Sequence, residues 1–260
     1  MATHTGASLA EAAKATAGHA DAKLIAGGQS LLGAIKLGLA APESLVDLSA
    51  LADLKGIKVD GGKVSIGAMT THAEVAASKA LQQAIPALAD LAGRIGDRQV
   101  RNRGTLGGSL ANNDPAACYP AAVLALNATI QTDRRSIAAD DFFKGLYETA
   151  LAEGEIITSV SFPVPLKAGW QKFKQPASRF SIVGVFVAKT AAGVRVAVTG
   201  AGAGVFRASA LETALSASWT PAATMTVGIS PAGLNSDLHG TAEYRAALIP
   251  VLAGRAVAAS

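Results

Sequence analysis

The sequence contains little cysteine, little histidine and few aromatic residues. Its single cysteine, Cys118, in 260 residues cannot form an intrachain disulfide, so a cytoplasmic location is expected. Together with four histidines, it is too little for a cysteine-rich zinc or iron–sulfur site. Aromatic residues make up 5% of the chain, so the hydrophobic core must consist mainly of Ala, Val, Leu and Ile.

Long hydrophobic runs and strong net charge are also missing. No uninterrupted apolar segment reaches the ~20 residues that span a bilayer, and the N-terminus lacks the basic and apolar regions of a secretory signal. The net charge of +4 is scattered, without the basic stripe and interleaved aromatics that nucleic-acid binders show. Membrane spans, secretion and nucleic-acid binding are therefore not indicated. The 50% of hydrophobic residues suffices for a sizeable core.

Local patterns predict three successive groups of elements. The first is a βαβ-like opening: a helix at 8–18 capped by Ser8, a strand at 23–26, a helix at 30–39 capped by Ser30, and a strand at 45–48. The second is a hairpin turning at Asp60-Gly61-Gly62, helices at 71–77, 79–83, 86–94 and 117–126, and strands at 128–132 and 155–162. The third is an antiparallel meander at 170–175, 182–190 and 194–199, with helices at 208–217 and 241–258. The segment 97–115 has too many Gly, Asn and Arg residues for a regular element.

The first glycine motif is Ala26-Gly27-Gly28-Gln29-Ser30, preceded by Leu24-Ile25. A strand delivers the chain to a paired-glycine turn, and a helix begins immediately afterwards. Glycines let backbone N–H groups approach an anion, and the helix N-terminus adds partial positive charge. The motif predicts an anion-binding turn, with an ordinary strand–turn–helix connection as the alternative. It is not a Walker A loop, because Ala34 stands where the phosphate-binding lysine belongs.

The second glycine motif is Thr105-Leu106-Gly107-Gly108-Ser109, followed by Asn112-Asn113-Asp114. Such a loop can offer N–H and O–H donors to a pyrophosphate and polar contacts to a ribose. A long surface loop is the alternative, although irregular loops of this length inside compact domains are usually functional. Two separate anion-binding turns favour a dinucleotide ligand.

Three further features are less specific. The stretch Gly200–Gly204 resembles a Rossmann fingerprint, but Val205 stands at the third glycine position and the βαβ context is missing, so a turn is expected. Four arginines at 94, 98, 101 and 103 predict either a solvated helix end or contacts to phosphate or a partner. His72 is expected to start a helix rather than act as a base. No Ser/His/Asp order or carboxylate pair indicates a hydrolase.

In this order, the motifs resemble the FAD-binding medium subunits of molybdenum hydroxylases. That family includes the carbon monoxide dehydrogenase medium subunit and the flavin domain of xanthine dehydrogenase. The matching segments span nearly the whole chain: AGGQS at 26–30, IGAMTTHAEV at 66–75, VRNRGTLGGSLANNDPAA at 100–117, ADDFF at 139–143, GEIITSVSFP at 154–163, KFKQPASRF at 172–180 and HGTAEYR at 239–245.

The resemblance implies an α+β architecture in three parts. These are a small N-terminal α/β FAD-binding subdomain (1–50), a larger α+β FAD-binding subdomain (51–165), and a C-terminal flavoprotein domain with a three-stranded antiparallel sheet and helices (166–260). FAD would bind non-covalently between the first two parts, with its pyrophosphate held by both glycine motifs. The implied FAD-binding residues are Ile25, Ala26, Gly27, Gly28, Gln29, Ser30, Leu31, Ile95, Thr105, Leu106, Gly107, Gly108, Ser109, Asn112, Asp114, Cys118, Ile157 and Lys174.

Two of these residues have particular expectations attached. Lys174 would lie near the flavin, where a cation stabilises charge on the reduced ring. Cys118 is a departure, because members of the family commonly carry at this position an Asp that accepts a hydrogen bond from the cofactor. A thiol is a poor substitute for that acceptor, and Asp114 is the nearby carboxylate that would compensate.

The implied function is electron transfer within an oxidoreductase. A large subunit with the molybdenum cofactor would oxidise the substrate, and a small subunit would carry two [2Fe–2S] clusters. The present chain would take the electrons onto FAD and pass them to an external acceptor, in a dimer of heterotrimers. Its single cysteine agrees, because cluster ligands must then come from another chain. The alternatives are a stand-alone FAD oxidase or dehydrogenase of the same fold superfamily, and a flavin-free assembly subunit.

Overall fold

The protein is described by a computed structural model that covers residues 2–6, 8–18 and 21–260. Its strands are β1 (Ala2–Thr5), β2 (Ala22–Ile25), β3 (Ser44–Asp47), β4 (Ile57–Asp60), β5 (Lys63–Gly67), β6 (Thr129–Thr132), β7 (Ser136–Ala138), β8 (Phe143–Gly145), β9 (Glu148–Thr149), β10 (Ile157–Pro163), β11 (Lys167–Lys174), β12 (Ser181–Thr190), β13 (Gly193–Thr199) and β14 (Phe206–Arg207). Its α-helices are α1 (Leu9–Ala17), α2 (Leu31–Lys36), α3 (His72–Ala77), α4 (Lys79–Ala84), α5 (Pro86–Gly93), α6 (Arg98–Arg103), α7 (Leu106–Asn112), α8 (Tyr119–Ala125), α9 (Ala139–Phe142), α10 (Ser209–Ala217), α11 (Pro221–Met225) and α12 (Ala242–Ala258).

The N-terminal sheet is parallel and has the strand order β1-β3-β2. Helix α1 begins at the predicted cap, since the N–H of Glu11 donates to Ser8 Oγ at 3.2 Å. The sheet also contains β1, a strand that the sequence analysis did not predict. Ser30 is the N-cap residue of α2, as predicted, but its side chain makes no capping hydrogen bond. Its backbone is already helical, and the N–H of Leu32 donates to the carbonyl of Gly28.

The second sheet is antiparallel and has the strand order β4-β5-β10-β6-β7. Its β4–β5 hairpin turns at Gly61 and Gly62, which have φ values of 55° and 77°, so the predicted turn is confirmed. Helices α3 to α8 lie in the connection from β5 to β6. Their apolar faces share one core with this sheet, in which Leu88, Tyr119 and Phe162 are fully buried.

The segment 97–115 was expected to be irregular, and this prediction is wrong because both α6 and α7 form in it. Side-chain caps compensate for the poor helix formers. Asp97 Oδ1 accepts from the N–H of Val100 at 2.8 Å, and Thr105 Oγ1 accepts from the N–H of Gly108 at 3.1 Å. Asn113, in the left-handed conformation with φ 43°, ends α7.

The C-terminal sheet is antiparallel and has the order β11-β12-β13-β14. Its three long strands are the predicted meander, and the two-residue β14 adds a fourth strand to the three that were expected. Helix α12, also predicted, packs against β11 and β12. The packing is close, because a Cβ on Gly169 of β11 would overlap the carbonyl of Ala256.

The first two sheets are joined by a small shared core. Val46 and Leu48 of the N-terminal part pack there with Met69 and Ile156 from the second part. This contact brings the end of β2 towards the helices that follow β5. Among the described residues, no helix is long and apolar enough to cross a bilayer.

Candidate functional site

A cavity of about 590 Å³ lies where the end of β2 faces the α6–α7 junction. Most of its lining comes from four stretches of chain, at 23–31, 95–118, 147–157 and 172–180. Its volume falls within the range of small-molecule and cofactor sites. Both glycine motifs therefore face the same space.

The first glycine motif supplies backbone donors. Within the described residues, the N–H groups of Gly27, Gly28, Gln29 and Ser30 donate to no acceptor of the protein. Gly28 has φ +74°, which glycine adopts without the steric cost that a side chain would add. Successive N–H groups in such a turn can form a concave anion-binding site, and anion binding at this turn stays a prediction.

The two glycine motifs touch through their backbones. A Cβ on Gly27 would overlap the carbonyl oxygen of Arg103 and would lie 2.8 Å from Cα of Gly104. Gly107 lies equally close to the end of β5, since its Cβ would come within 2.6 Å of Ala68 Cβ. These glycines are therefore needed so that the two walls of the cavity can meet.

The second motif differs from the expectation that its N–H groups hold a pyrophosphate. The N–H groups of Leu106 and Gly107 donate to the carbonyls of Thr70 and Ala68, at 3.1 and 2.8 Å. Those of Gly108 and Ser109 donate to the side chain and the carbonyl of Thr105. The N–H groups at 106–109 are therefore already used, and Gly107, Gly108 and Ser109 line the cavity on this side.

Sixteen of the eighteen residues expected to bind FAD line the cavity, namely Ile25, Ala26, Gly27, Gly28, Gln29, Ser30, Leu31, Ile95, Thr105, Gly107, Gly108, Ser109, Asn112, Asp114, Cys118 and Ile157. Leu106 is fully buried behind the wall, and Lys174 lies outside the lining. Their contact with a cofactor stays a prediction. The Gly200–Gly204 turn also lies outside this cavity, and Gly200 packs against the carbonyl of Ser181.

The lysine of β11 that lines the cavity is Lys172 rather than the expected Lys174. The pairing of β11 with β12 shifts register between Phe173 and Lys174, which interrupts the alternation of faces. Lys172 Nζ donates to the carbonyl of Arg179 at 2.8 Å and lies 3.4 Å from Cys118 Sγ. The sulfur is also 3.6 Å from Ser181 Oγ, so Cys118 sits in a polar cluster.

His72 occupies the first position of α3, as predicted, and it also lines the cavity. Its side chain is buried, and Nδ1 has no hydrogen-bond partner. The ring packs 5.3 Å from the ring of Tyr119, measured between centroids. Burial, with a smaller contribution from Arg101, lowers the pKa of His72 to about 4. His72 is therefore neutral at physiological pH and has no charge to offer an anion.

An ion pair between the half-exposed Arg135 and the buried Glu155 fixes the wall at the start of β10. Glu155 accepts two hydrogen bonds from Arg135, both at 2.9 Å, and others from Thr132 Oγ1 and the N–H of Ala152. The hydrogen bond from Arg135 is the main reason why the pKa of Glu155 falls to about 2. This network orients the turn that presents Ile156 and Ile157 to the cavity.

Tyr147 is a lining residue that the sequence gave no reason to single out. It lies at the tip of the β8–β9 hairpin with φ +56°, and its hydroxyl donates to Asp114 Oδ2 at 3.4 Å. No local sequence pattern predicts that an aromatic residue adopts this left-handed conformation. Lys172, Arg179 and Phe180 also reach the wall from the C-terminal part, which the resemblance had represented by Lys174 alone.

Of the four arginines at 94–103, two are tied into the fold. Arg94 pairs with Asp90, and Arg101 Nη1 donates to the carbonyls of Ile95 and Gly96 at 3.0 and 3.1 Å. Arg98 and Arg103 are exposed, and within the described residues they make no side-chain hydrogen bond or ion pair. Arg98 and Arg103 thus match the expected solvated helix end, and contacts from this segment to phosphate or a partner stay a prediction.

The donor set suits a large anionic ligand with an apolar part. Four unused N–H groups and the hydroxyls of Ser30 and Ser109 can meet phosphate oxygens, and Lys172 adds a cation. Ile25, Ile156 and Ile157 provide apolar surface for a planar ring. The cavity therefore fits the dinucleotide that the sequence predicts.

Comparisons with known proteins agree with this geometry. Residues 1–165 match the family model described as "FAD binding domain in molybdopterin dehydrogenase". The nicotine 6-hydroxylase medium subunit of Paenarthrobacter nicotinovorans is 37% identical over 96% of this chain and 94% of its own. The carbon monoxide dehydrogenase medium chain of Hydrogenophaga pseudoflava is 34% identical over 92% and 89%. A solved structure of that dehydrogenase without the Mo-pyranopterin moiety superimposes with a TM-score of 0.89 at 34% identity, covering 100% of this chain and 96% of the other.

Proposed function

The chain belongs to the family of FAD-binding domains in molybdopterin dehydrogenases, and from this premise we propose that it relays electrons from iron–sulfur clusters of a partner subunit through FAD to an external acceptor. It is an oxidoreductase medium subunit of the kind that works with large and small subunits. The observation that carries the proposal is the group of unused N–H donors at 27–30, which faces a cavity of dinucleotide size.

Bound FAD supplies the redox chemistry, because its ring accepts and releases electrons. The residues of the chain bind and orient it. The N–H groups at 27–30 would donate to phosphate oxygens, and the Ser30 and Ser109 hydroxyls would add donors. Lys172 would place positive charge beside the ring. No residue is assigned the role of a catalytic acid or base.

The experiment that tests the proposal measures flavin content and electron flow separately. The purified chain should contain about one FAD, which acid denaturation releases completely into the supernatant. Dithionite should reduce this FAD, whereas organic hydroxylase substrates should not. Activity should appear on reconstitution with the molybdenum and iron–sulfur subunits.

Each alternative gives a different result in this experiment. Steady substrate turnover by the chain alone would show that it is a stand-alone oxidase or dehydrogenase rather than an electron-relay subunit. A folded protein that takes up no flavin would indicate an assembly subunit. Flavin that stays with the precipitated polypeptide would contradict non-covalent binding.

The iron–sulfur subunit is proposed to dock beside the cavity, on the exposed side chains of Arg98 and Arg103. Both cations belong to α6, the helix that directly precedes the glycine motif at 105–109, and electron transfer requires the donor to approach closely. Interfaces of this kind bury on the order of 1,200–2,000 Å². Arg98→Glu with Arg103→Glu should therefore weaken assembly more than it weakens FAD binding. Arg101 is unsuitable for this test, because its guanidinium holds the backbone at Ile95 and Gly96.

Arg255→Glu is the matched control, since Arg255 is an exposed arginine on α12 outside the cavity lining. Co-purification with the partner subunits and FAD titration should be measured on both variants. If the double variant and Arg255→Glu lost assembly equally, the proposal that the iron–sulfur subunit docks on Arg98 and Arg103 would be wrong.

Three broader features belong to the same proposal. The three larger sheets fall within 1–50, 51–165 and 166–260, which supports these ranges as the two FAD-binding subdomains and the C-terminal domain. A dimer of heterotrimers is the proposed assembly, and size-exclusion chromatography with light scattering on the reconstituted complex tests it. The single cysteine supports a cytoplasmic location.

A further inference from the structure

Two carboxylates line the cavity within the described part of the chain, and they differ in their remaining capacity to accept hydrogen bonds. Glu155 is saturated by Arg135, Thr132 and the N–H of Ala152. Asp114 accepts from the N–H of Ala116 at 2.8 Å through Oδ1 and from Tyr147 at 3.4 Å through Oδ2. A carboxylate has about four acceptor sites, so Asp114 can still accept hydrogen bonds from a ligand.

Asp114 lies close to a second unusual feature, the β8–β9 hairpin tip at Tyr147. The left-handed conformation of this tyrosine is uncommon for a bulky residue, and such strain persists where the surrounding structure enforces it. The enforcing residue is Asn113, whose buried Nδ2 donates to the carbonyls of Gly145 and Glu148 at 2.9 and 2.8 Å. The hairpin is thereby fixed with the Tyr147 side chain in the cavity wall.

The charge of Asp114 limits what it can face. A carboxylate repels phosphate, so this part of the wall does not suit the pyrophosphate of a dinucleotide. A hydroxyl group is a suitable partner because it donates a charge-assisted hydrogen bond to a carboxylate. Asn112, two residues before Asp114 and also in the lining, adds an amide that can both donate and accept.

We propose that Asp114 and Tyr147 form the hydroxyl-binding pair of the cavity. Asp114 accepts a hydrogen bond from a sugar-type hydroxyl of the cofactor, and Tyr147 orients that carboxylate and covers the bound molecule. This inference rests on FAD being the ligand. FAD has such hydroxyls in two places, the ribose of its adenosine and the ribityl chain of its flavin, and the structure assigns the pair to this shared chemistry.

The test compares the FAD dissociation constants of three full-length variants prepared without flavin. Asp114→Asn keeps a carbonyl acceptor for the N–H of Ala116 but loses the charge, and it should weaken FAD binding about tenfold or more. Tyr147→Phe keeps the ring and loses the hydroxyl, and it should weaken binding about two- to tenfold. Leu146→Ala is the matched control, because Leu146 lies at the same hairpin tip with similar exposure (59% against 58%) but outside the cavity lining; it should leave binding unchanged.

Titration with ADP separates the two sources of hydroxyls. Parallel weakening for ADP and FAD in Asp114→Asn places the pair at the ribose, whereas weakening for FAD alone places it at the ribityl chain. Circular dichroism verifies that each variant is folded. Wild-type affinity for FAD in both Asp114→Asn and Tyr147→Phe overturns the proposal, and so does equal weakening by Leu146→Ala and Tyr147→Phe. A wild-type chain that binds no FAD would overturn the proposed function as well, so the two failures are distinguishable.

Discussion

Adding one methyl group at Gly27 should disrupt the cavity where its two walls meet. The new Cβ would overlap the carbonyl of Arg103 and lie 2.8 Å from Cα of Gly104. Both neighbours are backbone atoms, so no rotamer change relieves the overlap, and one wall must move. Overpacking of this kind costs about 1–3 kcal/mol. For a protein of this size, the melting temperature falls by about 2–4 °C for each kcal/mol.

Gly33→Ala is the matched control for Gly27→Ala. A Cβ on Gly33 would meet no heavy atom within 4 Å, and Gly33 lies in α2, where alanine stabilises by about 0.5–1 kcal/mol relative to glycine. Thermal unfolding and FAD titration should be measured on both variants. Gly27→Ala should lower both the melting temperature and the FAD affinity, while Gly33→Ala should lower neither. If Gly27→Ala matched Gly33→Ala in both measurements, the close approach of the two walls would not be needed for the site.

Three further predictions concern individual side chains of the wall. Cys118→Asp should leave the FAD dissociation constant unchanged or lower it, because the carboxylate would face Lys172 Nζ, now 3.4 Å from the sulfur; a markedly higher constant in a fluorescence titration would contradict this. The free energy of unfolding should decrease as the pH falls from 6.5 towards about 4. The reason is that His72 takes up a proton in the unfolded chain, whereas the buried ring, with its pKa of about 4, does not. Urea titrations should show a smaller decrease for the His72→Asn variant. Between pH 4.5 and about 2, the free energy of unfolding should decrease further, because Glu155 takes up a proton in the unfolded chain before it does so in the folded protein, where its pKa is about 2. The Glu155→Gln variant should not show this further decrease.

The sequence predicted most of the elements because their signals are local. The paired glycines after Asp60 and the apolar run within 182–190 are features of neighbouring residues, and the predicted turn and strand are both confirmed. The helices at 98–103 and 106–112 were missed because their composition is unfavourable, and the caps Asp97 and Thr105 outweigh it. Strand β1 was missed because four residues carry too little pattern, and its pairing with β3 is a tertiary contact.

The sequence predicted those residues of the candidate site that belong to recognisable motifs. It missed the residues whose place in the site depends on strand register and tertiary contacts. The two glycine motifs were recognisable from the spacing of their residues, and both line one cavity. The exchange of Lys174 for Lys172 depends on a register shift in the β11–β12 pairing, which no local pattern shows. Tyr147 reaches the wall through a hairpin fixed by Asn113, thirty-two residues from Gly145 in sequence, and a single sequence does not reveal such a contact.

The two glycine motifs should respond differently when the cofactor binds, because the N–H groups at 106–109 have acceptors in the protein and those at 27–30 do not. The amides at 106–109 are bonded to Thr70, Ala68 and Thr105 in the protein alone, so they should exchange slowly with deuterated solvent whether or not FAD is present. The amides at 27–30 have no acceptor in the described chain and should exchange quickly until phosphate oxygens occupy them. The protection that cofactor binding adds should therefore appear at 27–30 and not at 106–109.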